Sequence, residues 1–191
     1  MTKKQILRTI QDDIREVSQA KCFGLTLTQG RSNRYLPDAS LSLPGKTLDV
    51  ELKTCNALSG KNQVSTARGV NVSKLNEWRK VHLWVFSKHE NNILTGEHYV
   101  LTTRQMEAFF KTCEQKLNKG SKKLAGLDDW RQAKNILLES GINSLVLEKL
   151  EYAFSHKGVA LNDPKIPWSY VEQNGTKITS PTDLRKIAKN A

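Results

Sequence analysis

The amino-acid sequence predicts one domain of mixed α/β (α+β) type. Apolar residues recur at helical spacing close to the amino terminus, between Ile6 and Val17. Apolar and polar residues alternate between Leu48 and Thr54, which is typical of a strand with one buried face. The chain has 191 residues and no long flexible linker, and a chain of this length is more often one domain than two.

The first half of the chain is predicted to be rich in strands. After the amino-terminal helix we expect strands at Leu25–Thr28 and around Tyr35. A Pro44–Gly45 turn then leads into the central strand, Leu48–Thr54. The next two strands and the polar turn that joins them are expected at Val81–Ser87, His98–Thr102 and His89–Asn92.

The second half is predicted to be mainly helical. Thr103 is expected to cap a helix, which is followed by a basic loop at 118–123. Two further helices, Asp128–Ser140 and Asn143–His156, are expected to form a hairpin. The remaining elements are a strand, a turn and a helix, at Ile166–Val171, at Asn174–Gly175 and after the capping residue Ser180.

The balance of charges favours a polyanionic partner. Lys and Arg number 30 against 19 Asp and Glu, which gives a formal net charge of +11. Because the sequence has no long uninterrupted apolar run, we expect no membrane attachment and a cytoplasmic location. The three cysteines are widely spaced, which favours free thiols in a reducing compartment over a disulfide or a zinc site.

An acid and a lysine are expected side by side on the central strand. Because a strand has period two, Glu51 and Lys53 project from one face while their neighbours pack on the other. Asp38 lies on the predicted partner strand across the turn, so its side chain can return to the same place. Asp49 is the alternative, since it shares the face of Glu51 and Lys53. We prefer Asp38, because an acid from the adjacent strand can point inward across a shared ion.

These residue types suit metal-assisted hydrolysis of a phosphodiester. Two carboxylates brought together raise each other's pKa, unless a hard cation such as Mg2+ lies between them. Bound Mg2+ polarises a phosphate oxygen and acidifies a water, while a nearby lysine orients that water and offsets charge that develops on phosphorus. The structural alternative is the solvated face of an edge strand, because the acid-x-Lys pattern is common on alternating strands.

Two blocks of sequence carry a resemblance to a known family. The first block contains Asp38–Ala39, Val50–Thr54, Val64–Thr66 and Asn71, and the second runs from Asn162 to Ile178. In this order the blocks resemble the PvuII family of type II restriction endonucleases, which belongs to the PD-(D/E)xK superfamily. The second block is long and does not contain Asp38, Glu51 or Lys53, so two independent matches support the resemblance.

The resemblance implies a restriction-endonuclease-like core, with a central mixed sheet flanked by helices. It implies a homodimer that cleaves both strands of a short palindromic site in double-stranded DNA, with Mg2+ as cofactor and blunt ends as product. Asp38, Glu51 and Lys53 correspond to the catalytic residues, and Asp38, Glu51 and Leu52 to the metal ligands. A cognate DNA methyltransferase is expected in the same system. The helical insertion at about 118–158 has no evident counterpart in the family.

The implied DNA contacts depart in part from the family pattern. Histidines that follow the Ser-Thr pair in the family are replaced here by Ala67–Gly69. Arg68 can donate two hydrogen bonds to guanine or clamp a phosphate, and both interpretations stay open. Asp163 stands where the family has an asparagine, and it can accept from cytosine or cap a turn. The candidate DNA contacts are Ser65, Thr66, Arg68, Asn71, Asn162, Asp163 and Lys165.

Two further functions are compatible with the same residues. A structure-specific nuclease of DNA repair or recombination would share the core but prefer junctions or flaps over a base sequence. A non-catalytic DNA-binding protein would use the positive charge alone, with the acids as ordinary surface residues. The resemblance favours the restriction endonuclease, because it includes a recognition segment as well as the core.

Overall fold

The computed structural model of the protein describes residues 3–28, 36–67, 69–123, 135–141, 143 and 160–191. The helices are α1 (Lys3–Phe23), α2 (Val72–Trp78), α3 (Thr103–Lys123), α4 (Trp168–Asn174) and α5 (Pro181–Ala188). A short helical stretch at 135–139 ends before Gly141, whose φ is 77°. The strands are β1 (Thr26–Leu27), β2 (Ala39–Leu43), β3 (Lys46–Asn56), β4 (Gln63–Val64), β5 (Leu83–Glu90), β6 (Ile93–Thr102), β7 (Ile166–Pro167) and β8 (Thr176–Lys177).

Contacts within the chain divide it into two compact units. The first consists of Met1–Thr66, Asn76–Ala108 and Lys165–Ala191 and contains all of the strands named above. The second consists of Ala67–Leu75 and Phe109–Pro164. A single catalytic domain with a helical insertion at 118–158 stays a prediction, since most of the expected helical hairpin lies outside the described residues.

The first unit is built on a mixed six-stranded sheet. Its strand order is β1-β2-β3-β5-β6-β8, and β4 and β7 form a separate two-stranded sheet. Strands β3 and β5 are parallel, whereas the other neighbours in the large sheet are antiparallel. The predicted α+β class with a central mixed sheet and flanking helices is confirmed.

Strand β3 has one apolar and one polar face. Leu48, Val50 and Leu52 are at most 3% exposed and belong to the hydrophobic core, while Glu51 and Lys53 alternate with them. Helices α1 and α5 contribute to the same core. The core residues are Phe23, Ala39, Leu41, Leu48, Val50, Leu52, Leu83, Val85, Val100, Ile178, Leu184 and Ala188. Packing of the apolar face therefore fixes the direction in which the polar side chains of β3 project.

Helix α1 forms as predicted, but its described apolar residues are not all buried. Gln19, Ala20 and Phe23 are at most 4% exposed. Ile14 and Val17 are 47% and 50% exposed, although the sequence pattern groups them on the apolar stripe of the helix. This part of the stripe is thus an accessible apolar surface of the single chain.

Two predictions about α3 were wrong. Residues 118–123 are the last turns of the helix rather than a loop. Gly120 weakens a helix by about 1 kcal/mol, but the segment has no proline, and basic residues near a helix carboxyl terminus interact favourably with its dipole. The cap lies at Thr102 rather than Thr103, since Thr102 Oγ1 accepts from Gln105 N while Gln105 Oε1 accepts from Thr102 N.

Two other elements also differ from the prediction. The strand expected at Ile166–Val171 ends at Pro167, because proline has no N–H to continue a ladder, and α4 begins at Trp168. His89 lies within β5 and is 5% exposed, so the turn is shorter than expected. It consists of Asn91 and Asn92, both with positive φ, as a type I′ hairpin turn requires.

The carboxyl-terminal helix starts as the sequence predicts. Ser180 is the N-cap, Pro181 occupies the first turn, and the side chain of Ser180 accepts from the N–H of Asp183. The expected strand around Tyr35 lies outside the described residues. Among the described residues, no helix is both long and apolar enough to cross a membrane.

Candidate active site

The beginning of β2 places Asp38 beside β3. The pairing of the two strands extends no further than Ala39 opposite Val50. Beyond this pairing, the backbone N–H of Leu52 donates to Asp38 Oδ2 at 2.9 Å. Asp38 thereby satisfies a backbone donor at the edge of the hairpin, and its carboxylate is held on the strand that carries the predicted catalytic pair.

The ammonium of Lys53 contacts three oxygen atoms. Lys53 Nζ lies 2.7 Å from Glu51 Oε1 and 3.0 Å from Asp38 Oδ2. It also donates to the backbone oxygen of Leu52 at 2.9 Å. The structure therefore brings together all four residues that the sequence analysis assigns to catalysis and metal binding.

The cluster is largely shielded from solvent. The side chains of Glu51, Lys53 and Asp38 are 5%, 10% and 23% exposed. Burial alone would lower the pKa of Lys53, but the charges of Asp38 and Glu51 and their hydrogen bonds outweigh it and raise the pKa above its ordinary value. Lys53 is therefore charged at neutral pH, and it offsets the repulsion between the two carboxylates.

Asp49 is placed differently from Asp38. Its backbone N–H donates to His82 Nδ1 at 3.0 Å, and its side chain is half-buried. The oxygen atoms bound to Lys53 Nζ belong to Asp38, Glu51 and Leu52 and not to Asp49. The geometry thus supports the preference for Asp38, and the assignment of the metal ligands stays a prediction.

The oxygen atoms of the cluster fit a hard divalent cation. Within the described part of the chain, no group of three or more His, Cys, Asp and Glu side chains could hold a metal ion. A metal beside Lys53 would therefore be held by two carboxylates and one backbone carbonyl, whose oxygen atoms lie within 3.0 Å of Lys53 Nζ. Carboxylate and carbonyl oxygens are the protein ligands that Mg2+ prefers.

Gln19 supports strand β3 from α1, and this contact was not predicted from the sequence. The side-chain amide of Gln19 is fully buried and donates to the carbonyl of Lys53 at 3.2 Å and to Ser87 Oγ at 2.9 Å. It also donates to the carbonyl of Val85 on β5. The available signal is its spacing, since Gln19 lies four residues before the buried Phe23 on the same helical face.

Three candidate DNA contacts belong to the first unit. Strand β4 pairs with β7, so Ser65 and Lys165 lie side by side at the end of this pair. Lys165 Nζ donates to Ser65 Oγ at 2.6 Å, and both side chains are exposed. Thr66 follows Ser65 and is half-buried. The structure thus brings Ser65 and Lys165 together.

The other described candidates belong to the second unit. Val70 pairs with Leu161, and the N–H of Asp163 donates to the carbonyl of Ala67 at 3.0 Å. Asp163 has φ 53°, which agrees with a turn before the proline. Asn162 is exposed.

Asn71 and Arg68 complete the set of candidate DNA contacts. Asn71 Oδ1 accepts from the N–H of Lys74, so the side chain of Asn71 caps α2. Arg68 lies outside the described residues.

The mixed sheet and the cluster of Asp38, Glu51 and Lys53 at its β2–β3 hairpin define the class of the protein, a nuclease of the restriction-endonuclease-like fold. A comparison with protein-family models matches residues 2–126 to the family described as restriction endonuclease PvuII. The match covers more than half of the chain, which therefore belongs to this family of type II restriction endonucleases. A comparison with curated proteins found no match.

The family match bears on the two blocks differently. Its residues include Asp38, Glu51 and Lys53 and the segment from Ser65 to Asn71. They do not include the second block, Asn162 to Ile178. The predicted family is confirmed. That the second block takes part in DNA recognition stays a prediction.

Proposed function

We propose that the protein cleaves double-stranded DNA by Mg2+-dependent hydrolysis at the cluster of Asp38, Glu51 and Lys53. The convergence of three oxygen atoms on Lys53 Nζ, at distances from 2.7 to 3.0 Å, carries this proposal. The formal net charge of +11 adds support, since it favours binding to a polyanion.

Each residue of the cluster has a separate part in the proposed reaction. The carboxylates of Asp38 and Glu51 and the carbonyl of Leu52 would hold the metal. Mg2+ bound there would polarise a phosphate oxygen and lower the pKa of a bound water. Lys53 orients the attacking water by hydrogen bonding and offsets the charge that develops on the phosphate oxygens. Gln19 holds the backbone of Lys53 in place.

Alanine variants test this assignment on a DNA plasmid with Mg2+. We expect Glu51→Ala and Lys53→Ala to lower kcat by about 100-fold or more, because each removes a group that stabilises the transition state. Asp38→Ala should have a similar effect, whereas the matched control Asp49→Ala should remain close to wild type. An active Asp38→Ala with an inactive Asp49→Ala would instead assign the second carboxylate to Asp49.

We also propose that the active form is a homodimer that cuts both strands of a palindromic site and leaves blunt ends. A dimer with twofold symmetry presents two identical sites to two identical half-sites of DNA. The half-exposed Ile14 and Val17 on α1 support a second copy of the chain as partner. Sedimentation should show a dimer for the wild type and a weaker dimer for Val17→Glu. A wild-type monomer that cleaves both strands would contradict the proposal.

The recognition residues are proposed from the sequence and from their exposure. Ser65 and Lys165 are exposed neighbours, and Lys165 contributes positive charge there. Arg68 is proposed to bind guanine or a phosphate, and these functions predict different results. Removal of a guanine-binding side chain relaxes specificity at one base pair, whereas removal of a phosphate-binding side chain weakens binding to all sequences. Cleavage of single-base variants by Arg68→Ala distinguishes the two.

A methyltransferase that modifies the same site is the expected partner, because host DNA would otherwise be cut.

Comparison of a plasmid with branched DNA tests the restriction function against a repair function. We expect cleavage of the plasmid at fixed positions, and preferential cleavage of the branched substrate would contradict this.

A further inference from the structure

A two-stranded ribbon, formed by β4 and β7, carries the neighbours Ser65 and Lys165. Gln63 pairs with Pro167 and Val64 with Ile166. Directly after the ribbon, Trp168 begins α4, and its side chain is fully buried. The position of Trp168 therefore determines where this end of the ribbon lies in the first unit.

Trp168 contacts an ion pair between Lys88 and Glu97 on the large sheet. Trp168 Nε1 donates to Glu97 Oε1 at 2.9 Å, and Lys88 Nζ lies 2.9 Å from the same oxygen atom. Lys88 Nζ also lies 4.9 Å from the centre of the Trp168 ring, within the range of a cation–π interaction. Tyr99 contacts the ring edge to face at 5.8 Å. Glu97, Lys88 and Trp168 together are called the clamp.

Charge and burial make the clamp a strong contact. The side chains of Lys88 and Glu97 are 16% and 31% exposed. Partial burial would raise the pKa of Glu97, but hydrogen bonds from Lys88 and Trp168 and the charge of Lys88 outweigh it and lower the pKa. Glu97 is thus ionised at neutral pH, and its hydrogen bonds are of the charge-assisted kind.

The clamp lies close to the catalytic strand. In the parallel pairing of β3 and β5, Cys55 stands opposite Lys88, and Lys53 stands opposite Phe86. Phe86 and Lys88 are two residues apart on β5. Lys88 therefore projects from the same face of the sheet as Lys53. Cys55 Sγ lies 3.5 Å from the carbonyl of Gln63 as a weak donor, which ties β3 directly to the ribbon.

We propose that the clamp of Glu97, Lys88 and Trp168 is a positioning device that couples DNA recognition by the ribbon to cleavage at Lys53. A correct base sequence then aligns the ribbon, and the clamp transmits this alignment to the sheet that carries the cluster. The inference rests on the proposed function. It assigns the discrimination between correct and near-correct sites in part to residues that do not contact DNA.

The test measures kcat and KM on the preferred site and on its single-base variants. We expect Trp168→Phe and Glu97→Leu to lower kcat on the preferred site by roughly tenfold, the factor of one charge-assisted hydrogen bond, with KM little changed. The ratio of kcat/KM between preferred and variant sites should fall as well. Glu97→Gln should keep most of the wild-type ratio of kcat/KM between preferred and variant sites, because its amide oxygen can still accept a hydrogen bond from Trp168.

A matched control is available in the same unit. Glu107 accepts two hydrogen bonds from Arg79, at 3.0 and 3.2 Å, so Glu107→Leu removes a comparable ion pair by the same substitution as Glu97→Leu. We expect this variant to leave kcat, KM and the ratio unchanged. Thermal unfolding checks that each variant is folded. If Trp168→Phe does not fold, the kinetics of Glu97→Leu decide the test.

The outcomes separate the inference from the function on which it rests. Folded clamp variants with wild-type kcat and an unchanged site ratio overturn the coupling. A rise in KM alone also overturns it, because that is the result expected of a simple DNA contact. A wild-type protein that cleaves no DNA overturns the proposed function, and the inference with it.

Discussion

Replacement of Lys53 by methionine should make the stability of the protein depend on a divalent metal. Methionine has a similar length but no charge, so Lys53→Met removes the cation that binds Glu51 Oε1 at 2.7 Å and Asp38 Oδ2 at 3.0 Å. The two carboxylates then repel each other without compensation in the absence of a metal.

The cost of this change follows from burial. Removing one partner of a buried ion pair costs about 3–5 kcal/mol, and the 23% exposure of Asp38 favours the lower end of that range. One carboxylate can also take up a proton, which limits the penalty further. A decrease of about 3 kcal/mol in the free energy of unfolding corresponds to a fall in Tm of about 6–12 °C for a chain of this size.

Thermal unfolding with EDTA and with Mg2+ measures the effect. A metal at 100 times its Kd stabilises the folded state by about 2.7 kcal/mol, so Mg2+ should restore most of the decrease in Tm. The gain should be smaller in the wild type, because the ammonium already occupies the same oxygen atoms. Lys80→Met, which removes an exposed ion pair with Glu77, is the control and should cost no more than about 1 kcal/mol. Equal stability of Lys53→Met and wild type in EDTA would refute the reasoning.

Three further predictions concern stability and DNA binding. Burial lowers the pKa of His98 despite the opposing charge of Glu97, so the unfolded chain gains a proton first as the pH falls below about 6.5. Stability should therefore fall below that pH, and less so in His98→Asn, as urea unfolding at several pH values will show. Gly175→Ala places a Cβ 2.6 Å from a backbone oxygen and should cost about 1–3 kcal/mol, whereas Gly60→Ala has free space and should be close to neutral. Neutralising Lys119, Lys122 and Lys123 near the end of α3 should reduce the salt slope of DNA binding by up to about 0.9 for each phosphate that these lysines bind. An unchanged slope would contradict phosphate binding by these lysines.

The sequence was sufficient to predict the face of β3 from which Glu51 and Lys53 project. Alternation with period two separates Glu51 and Lys53 from the core residues, and this separation depends on local geometry alone. The approach of Asp38 was also predictable, because a short turn joins β2 to β3. These features lie within a single hairpin, where neighbours in sequence are neighbours in space.

Long-range contacts could not be predicted in the same way. Gln19 and Lys53 are 34 residues apart, and Glu97 and Trp168 are 71 apart, so no sequence period relates them. A glutamine on an amphipathic helix and a tryptophan after a proline have many ordinary functions. The wrong assignment of 118–123 has a similar cause, since lysine and serine occur both in loops and at helix ends.

Digestion of a randomised DNA library with Mg2+, followed by sequencing of the fragment ends, tests the central claim most directly. We predict ends within one short palindromic sequence, cut at the same position on both strands, and no cleavage by Glu51→Ala. Uncut DNA, ends without a common sequence, or equal cleavage by Glu51→Ala would contradict the claim.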